Sequence, residues 1–205
     1  MAADLEDLVP TWRTAVVTSE VQNGVVGDES ALPELAGAAR RMIPALARLV
    51  AAARSAGVEV VHGTFERRVD GKGANANARL FQAVAKSPVK LLAGSHAAQV
   101  VDEIGVGPTD LVLPRGHGLN PMADTGLDAV LRNLGVTTVV VTGVSVNVAV
   151  TNLVMDAVNR GYQVVLPRDA VCGVPAAYAD AVIDNTLGLL ATLTTVDELV
   201  KIWSS

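Results

Sequence analysis

The chain has 205 residues, 50% of them hydrophobic, only 18% charged and 3% aromatic, with a formal charge of -5 at pH 7. That balance is the reverse of a disordered chain's, and a length of this order fits one domain, expected over residues 1–205. The longest apolar runs, such as Val136 to Val144, are broken by Thr or Gly well short of the ~18 residues that a membrane span needs, and a pI near 5.1 without a Lys/Arg cluster argues against nucleic acid as partner.

The opening Met1-Ala2-Ala3-Asp4-Leu5-Glu6-Asp7 lacks the basic and apolar regions of a secretory leader. Cys172 is the only cysteine, so no intrachain disulfide forms and a reducing, cytoplasmic setting is expected. Beyond these, the sequence alternates short β-branched runs with stretches of helical period. A strand is predicted from Ala15 to Ser19, then a helix from Leu35 to Ala56 with a kink or restart at Pro44 and a stop at Gly57. The next strand covers Val58 to Gly63. From Thr64 to Gln99 the pattern is irregular, with Gly71, Gly73 and Pro88, and reads as a surface excursion. Strands follow at Asp110 to Leu113, Thr137 to Thr142, Gln163 to Leu166 and Ala191 to Thr194. Helices are predicted at Gly126 to Asn133, Asn147 to Arg160, Ala177 to Leu189 and Val196 to Ile202. This grammar predicts an α/β three-layer sandwich: a six-stranded parallel sheet with helices on both faces.

Open parallel sheets bind ligands beyond the carboxyl ends of their strands. Those ends carry Glu20, Gln22 and Asn23, then Thr64 and Glu66, then Arg115 and His117, then Val144, Ser145 and Asn147, and finally Asp169 and Cys172. Glu20, Arg115, His117, Ser145 and Asn147 are therefore expected to converge. Each also has a plainer reading: a solvated carboxylate, a structural ion pair, or, for Asn147, a helix cap.

The run Ala15-Val16-Val17-Thr18-Ser19-Glu20-Val21-Gln22-Asn23-Gly24 resembles the first strand of the isochorismatase-like cysteine hydrolases, which reads apolar strand, Asp, any residue, Gln, often Asn. Leu134-Gly135-Val136, a Val-rich strand and Thr142-Gly143-Val144-Ser145-Val146-Asn147-Val148-Ala149 are similar to the family's "LGV-strand-TGV-x-x-N-x-C" segment. Asp156-Ala157, Arg160-Gly161-Tyr162 and Pro167-Arg168-Asp169-Ala170 follow in the family's order. The resemblance implies the same six-stranded fold and an Asp-Lys-Cys triad, in which the thiol attacks a carbonyl. Here Glu20 stands at the Asp position, Arg115 at the Lys position with one extra loop residue before Asn120-Pro121-Met122, and Ala149 at the Cys position. Ala149 has no nucleophilic atom, so thiolate attack from it is excluded.

True isochorismatases also lack that cysteine and use a carboxylic acid, so hydrolysis of a small metabolite without a thiol is expected, with Glu20 as acid or base and Arg115 as anion-binding residue. An ionised Glu20 beside a permanent cation suits a base better than an acid. His117, between Gly116 and Gly118, is expected to add a group that titrates near neutral pH. Gln22, Val144, Ser145 and Asn147 are expected to bind substrate. The family places a cis peptide at the position of Val144-Ser145, which turns a backbone N–H into an oxyanion hole. Nicotinamidase-type relatives carry a metal site of Asp-x-His and a later His, whereas His62-Gly63-Thr64-Phe65-Glu66-Arg67 has no such spacing, so no metal and no cofactor are expected. His62 reads as a packed residue and Cys172 as a structural thiol. Two other readings stay open: a catalytically inactive member that binds a metabolite or partner through the same pocket, and an oligomer scaffold. The apolar composition and helices such as Asn147 to Arg160 leave room for subunit contacts, and the resemblance implies a homo-oligomer, a dimer or tetramer.

Overall fold

In the computed structural model, residues 4–204 are described. Met1 to Ala3, on which part of the leader reading rests, and Ser205 lie outside them. The elements are α1 (Leu5–Leu8), β1 (Thr14–Ser19), α2 (Asn23–Val26), α3 (Pro33–Ala39), α4 (Met42–Ala56), β2 (Glu59–Phe65), α5 (Arg79–Lys86), β3 (Leu111–Arg115), α6 (Leu127–Asn133), β4 (Thr138–Val144), α7 (Thr151–Asn159), β5 (Gln163–Pro167), β6 (Val171–Cys172), α8 (Ala176–Asn185), β7 (Thr192–Thr194) and α9 (Val196–Trp203).

Every strand pairing is parallel, in the order β3-β2-β1-β4-β5-β7. Six strands were expected. A seventh, the two-residue β6, extends the ladder where Gly143 and Val144 of β4 meet Val171 and Cys172. Along the central strands alternate side chains go to opposite faces, and both faces are covered. Val16, Val60, Val140 and Val165 point toward a core with Leu46, Leu49 and Val50 of α4 and Leu199 of α9. Val17, Val61, Val139, Val141 and Leu166 point toward a second core with Leu131 of α6, Leu153 and Val154 of α7 and Ile183 of α8. Two-sided burial is why these strands read as unbroken Val-rich runs.

Three local outcomes differ from expectation. The helix predicted from Leu35 to Ala56 is two helices, broken at Arg40 and Arg41. Pro44 is the third residue of α4, in the first turn, where a missing N–H leaves no intrahelical bond unmade. The helix predicted from Asn147 starts as a π-helical turn, Val146–Val150, before α7. The excursion from Thr64 to Gln99 contains α5, which buries none of its residues. The expected subunit face on Asn147 to Arg160 is also used differently: Leu153, Val154 and Ala157 are each 0% exposed within this one chain, and Met155 alone among the large apolar residues of α7 points well out.

One buried polar chain ties β1, β2 and the segment before β3. Thr18 Oγ1 lies 2.8 Å from His62 Nδ1, and His62 Nε2 lies 3.1 Å from Asp110 Oδ2. Arg54 of α4 closes it with Nη2 donating to Asp110 Oδ2 at 2.6 Å. Burial pushes the His62 pKa below 6.5, against the pull of Asp110. A neutral imidazole fits both contacts, with Nε2–H donating to Asp110 and Nδ1 accepting from the Thr18 hydroxyl. Asp110, which burial alone would raise, is held below its ordinary value by Arg54, the Gly107 N–H and His62. The unfolded chain binds the imidazole proton near pH 6.5 and the folded chain resists it, so this contribution is complete above that pH and is lost as pH falls through the lowered native value. Thermal melts should therefore show Tm falling as the pH is taken from 7.5 to 5, and His62→Gln should flatten that slope whatever it does to Tm at neutral pH. An unchanged slope in the variant would remove His62 as its source.

Candidate active site

The sheet order reverses between β1 and β4, the topological switch point where open α/β sheets bind ligands. There the carboxyl ends of β1, β2, β3 and β4 border a cavity of about 640 Å³. Glu20, Arg115, Ser145, Asn147 and Ala149 all line it.

Glu20 follows the last residue of β1 with φ 53, the left-handed region that a residue with a side chain seldom adopts. Its N–H donates to Gly63 O at 2.9 Å, which fixes the turn against β2. Its carboxylate pairs with Nη2 of Arg115, the last residue of β3. The Arg115 side chain is only 4% exposed and that of Glu20 is 21% exposed. Arg115 Nε and Nη1 are buried without a hydrogen-bond partner, and the guanidinium carbon sits 5.5 Å from the centroid of the Phe65 ring. The cation is thus sandwiched between a carboxylate and an aromatic face.

The other side of the floor comes from the end of β4. The Val144-Ser145 peptide is cis, as the resemblance implies. Ser145 Oγ donates to Asn147 Oδ1 at 2.7 Å, and the Ser145 carbonyl accepts the N–H groups of Val148 and Val150. Ala149 lies within the π-helical turn and is 3% exposed. The cavity's walls were not anticipated. Leu35 of α3, Leu80, Phe81 and Val84 of α5, and Leu119 supply them along with Phe65. A usable signal was present, since Leu80, Phe81 and Val84 have helical spacing within the excursion.

Three expected site residues lie elsewhere. Gln22 is 0% exposed and absent from the lining. Its Nε2 donates to Phe65 O at 2.8 Å and to Ala98 O at 2.7 Å, while Oε1 accepts the Phe65 N–H at 2.8 Å. The amide is fully used in fastening the end of β2, so it binds backbone rather than substrate. Val144 is 0% exposed and does not line the cavity, and its carbonyl accepts a bond from Ser19 Oγ. His117 is exposed and borders a separate groove of about 260 Å³ with Glu66 and Lys72, so it does not share a cavity with Glu20. Arg67, Ala74 and Arg115 line both spaces. Arg115 itself, expected to bind an anion, has Glu20 as its anion.

Cys172 is half-buried, and burial pushes its thiol up to about 11. Asp169 Oδ1 accepts the N–H of Val196 at the head of α9 and is structural. Among the described residues no group of three or more His, Cys, Asp or Glu side chains is placed to hold a metal ion. His62, the nearest candidate in the sequence, has both ring nitrogens engaged by Thr18 and Asp110. These residues do not fit a zinc site of the Asp-x-His type.

Comparison with known proteins places this geometry. The family model described as "Isochorismatase domain" matches residues 14–198. The chain is 31% identical over 180 residues to a ureidoacrylate amidohydrolase RutB of Methylorubrum extorquens, a match covering 80% of this chain and 72% of that protein. An isochorismatase family protein from Desulfovibrio vulgaris superposes with a TM-score of 0.79 at 24% identity, over 94% of this chain and 99% of that one. N-carbamoylsarcosine amidase from Thermoplasma acidophilum superposes with a TM-score of 0.71 at 23% identity, over 90% and 97%. At these identities the two structures bear on the fold.

Two outcomes follow from the placements. Gln22→Ala strands three backbone groups in the core, and should cost about 2–4 kcal/mol in denaturant unfolding; a loss under about 0.5 kcal/mol would mean that the amide is not a clamp. At pH 8 a thiol with a pKa of about 11 holds roughly two hundredfold less thiolate than an ordinary cysteine at ~8.5, so iodoacetamide should label Cys172 about that much more slowly in the folded protein than in urea.

Proposed function

The chain belongs to the isochorismatase family of hydrolases, and we propose that it hydrolyses a small-molecule amide with a water activated by Glu20 in place of a cysteine. The observation that carries this reading is the Glu20–Arg115 pair on the floor of the cavity, beside an alanine where the family has its thiol. The named activity of the relative from Methylorubrum extorquens, an amidohydrolase, supports the C–N bond as the one cleaved.

Arg115 is permanently charged, and its guanidinium pairs with the Glu20 carboxylate. A carboxylate accepts protons, so Glu20 acts as general base. It takes one proton from water as the water oxygen bonds to the amide carbonyl carbon. Backbone N–H groups at the head of the π-helical turn around Ala149 receive the developing oxyanion. The C–N bond then breaks, the leaving nitrogen takes the proton from Glu20, and a carboxylic acid and an amine or ammonia result. Ala149 contributes space: its methyl group leaves room for the attacking water. Arg115 is in this reading a positioning residue rather than an anion site, because its charge is already spent on Glu20.

The same alanine favours a second reading, a member that binds a metabolite in the retained pocket and turns nothing over. A panel of isochorismate, nicotinamide, carbamoyl amides and maleamic amides separates the two. Hydrolysis is expected for at least one amide, and Glu20→Gln should lower its kcat about a hundredfold or more at a temperature where the variant is folded, its Tm falling because Arg115 is left without its carboxylate. Equal rates in both proteins would end the role given to Glu20. Binding without turnover across the panel would establish the second reading instead.

A further inference from the structure

The geometry points to a substrate with an extended apolar body and an uncharged polar end at Glu20, the body being seated by Phe81 of α5; this rests on the amide-hydrolase reading above. The first support is volume and lining. About 640 Å³ is in the range of roughly 300–1,000 Å³ that holds drug-sized ligands. A small polar amide fills only the floor of such a space. The rest is walled by Leu35, Phe65, Leu80, Phe81, Val84 and Leu119.

The second support is what the apolar groups are for. The chain has two phenylalanines, Phe65 and Phe81, and both line this cavity. α5 buries none of its residues, and Leu80 is left 38% exposed, so its apolar face serves no core within the chain. That face is continuous with the floor that carries Glu20 and Arg115. A ligand reaching from the floor to α5 removes it from water, which the hydrophobic effect rewards in proportion to area.

The third support is charge. Glu20 and Arg115 neutralise one another, and Glu34 and Arg67, the other ionisable groups of the lining, have opposite signs and no ion-pair partner among the described residues. The cavity has no net charge to offset the desolvation of an ionic ligand. A carboxylate on the floor would meet Glu20 with Arg115 already taken, whereas an amide N–H and C=O face a carboxylate and backbone donors.

Butanamide, hexanamide and octanamide, with octanoate as the charged counterpart, test this by calorimetric binding, and ammonia release measures turnover. In both the native protein and Glu20→Gln, Kd should fall about fourfold for each added methylene, from ~0.8 kcal/mol per buried CH₂. Octanoate should bind at least tenfold more weakly than octanamide to the native protein. Phe81→Ala should flatten the chain-length dependence, weakening octanamide about tenfold while leaving butanamide unchanged; because α5 buries no residue, its Tm should stay at the native value. A Kd indifferent to chain length, tighter binding of octanoate, or equal losses for both amides in Phe81→Ala would overturn the inference. The chain-length series with no ammonia released would leave the apolar cavity standing and remove the hydrolytic reading. Turnover of short polar amides without a chain-length dependence would do the reverse.

Discussion

A guanidinium buried beneath an apolar cavity persists only if a carboxylate meets it there, and the pairing of Arg115 with Glu20 is the interaction on which the candidate site depends. The two residues leave β3 and β1, which are not neighbours; β2 runs between them and ends at Phe65, whose ring lies against the guanidinium. Gln22 fastens Phe65 by its own N–H and C=O. The pair, the aromatic face and the clamp form one unit held by backbone from three strands. Removing either charge would leave the other buried and uncompensated.

The rest of the site is set by how closely β1 and β4 run at their carboxyl ends. Ser19 opposes Gly143 in register, and a Cβ built at Gly143, with φ +94, would lie 2.3 Å from Ser19 O. Only glycine permits that approach. It brings the end of β4 beside Glu20, where Ser145, Asn147 and the π-helical turn follow at once. Single π turns inside helices recur at functional sites, and here the turn spaces Ala149 off the regular helix that starts at Thr151.

The chain keeps the family's parallel-sheet frame. In the proposed reaction, with a methyl group at 149, the Glu20 carboxylate is the group that takes the proton of the attacking water. Cys172 does not line the cavity, and burial pushes its thiol up. The polar floor is joined to an apolar wall, to which α3 contributes Leu35 and α5 contributes Leu80, Phe81 and Val84.

Much of this was legible in the residues alone. The apolar runs gave each of the six longer strands to within two residues at either end, and for β1, β2 and β4 the reason is burial on both faces, which leaves an unbroken β-branched signal. Strand ends in a parallel sheet all face one way, so Glu20, Arg115, His117, Ser145 and Asn147 were expected to converge from their positions after strands, and all but His117 line the one cavity, with Ala149, which the family resemblance pointed to. Whether Gln22 faces ligand or backbone was not legible, since an amide has the same letters in either role and only the proximity of Phe65 and Ala98 decides it. His117 lines a groove that shares Arg67, Ala74 and Arg115 with the cavity but does not include Glu20, a matter of side-chain packing that spacing does not encode. α5 gave a weak signal because it is short and packs into no core, and it becomes a wall of the site only when the fold brings it over the ends of the strands. Local sequence determined the elements and the chemistry available at their ends; long-range packing decided which of those groups share a space, because contacts between residues 95 positions apart, as Glu20 and Arg115 are, exist only once the sheet has formed.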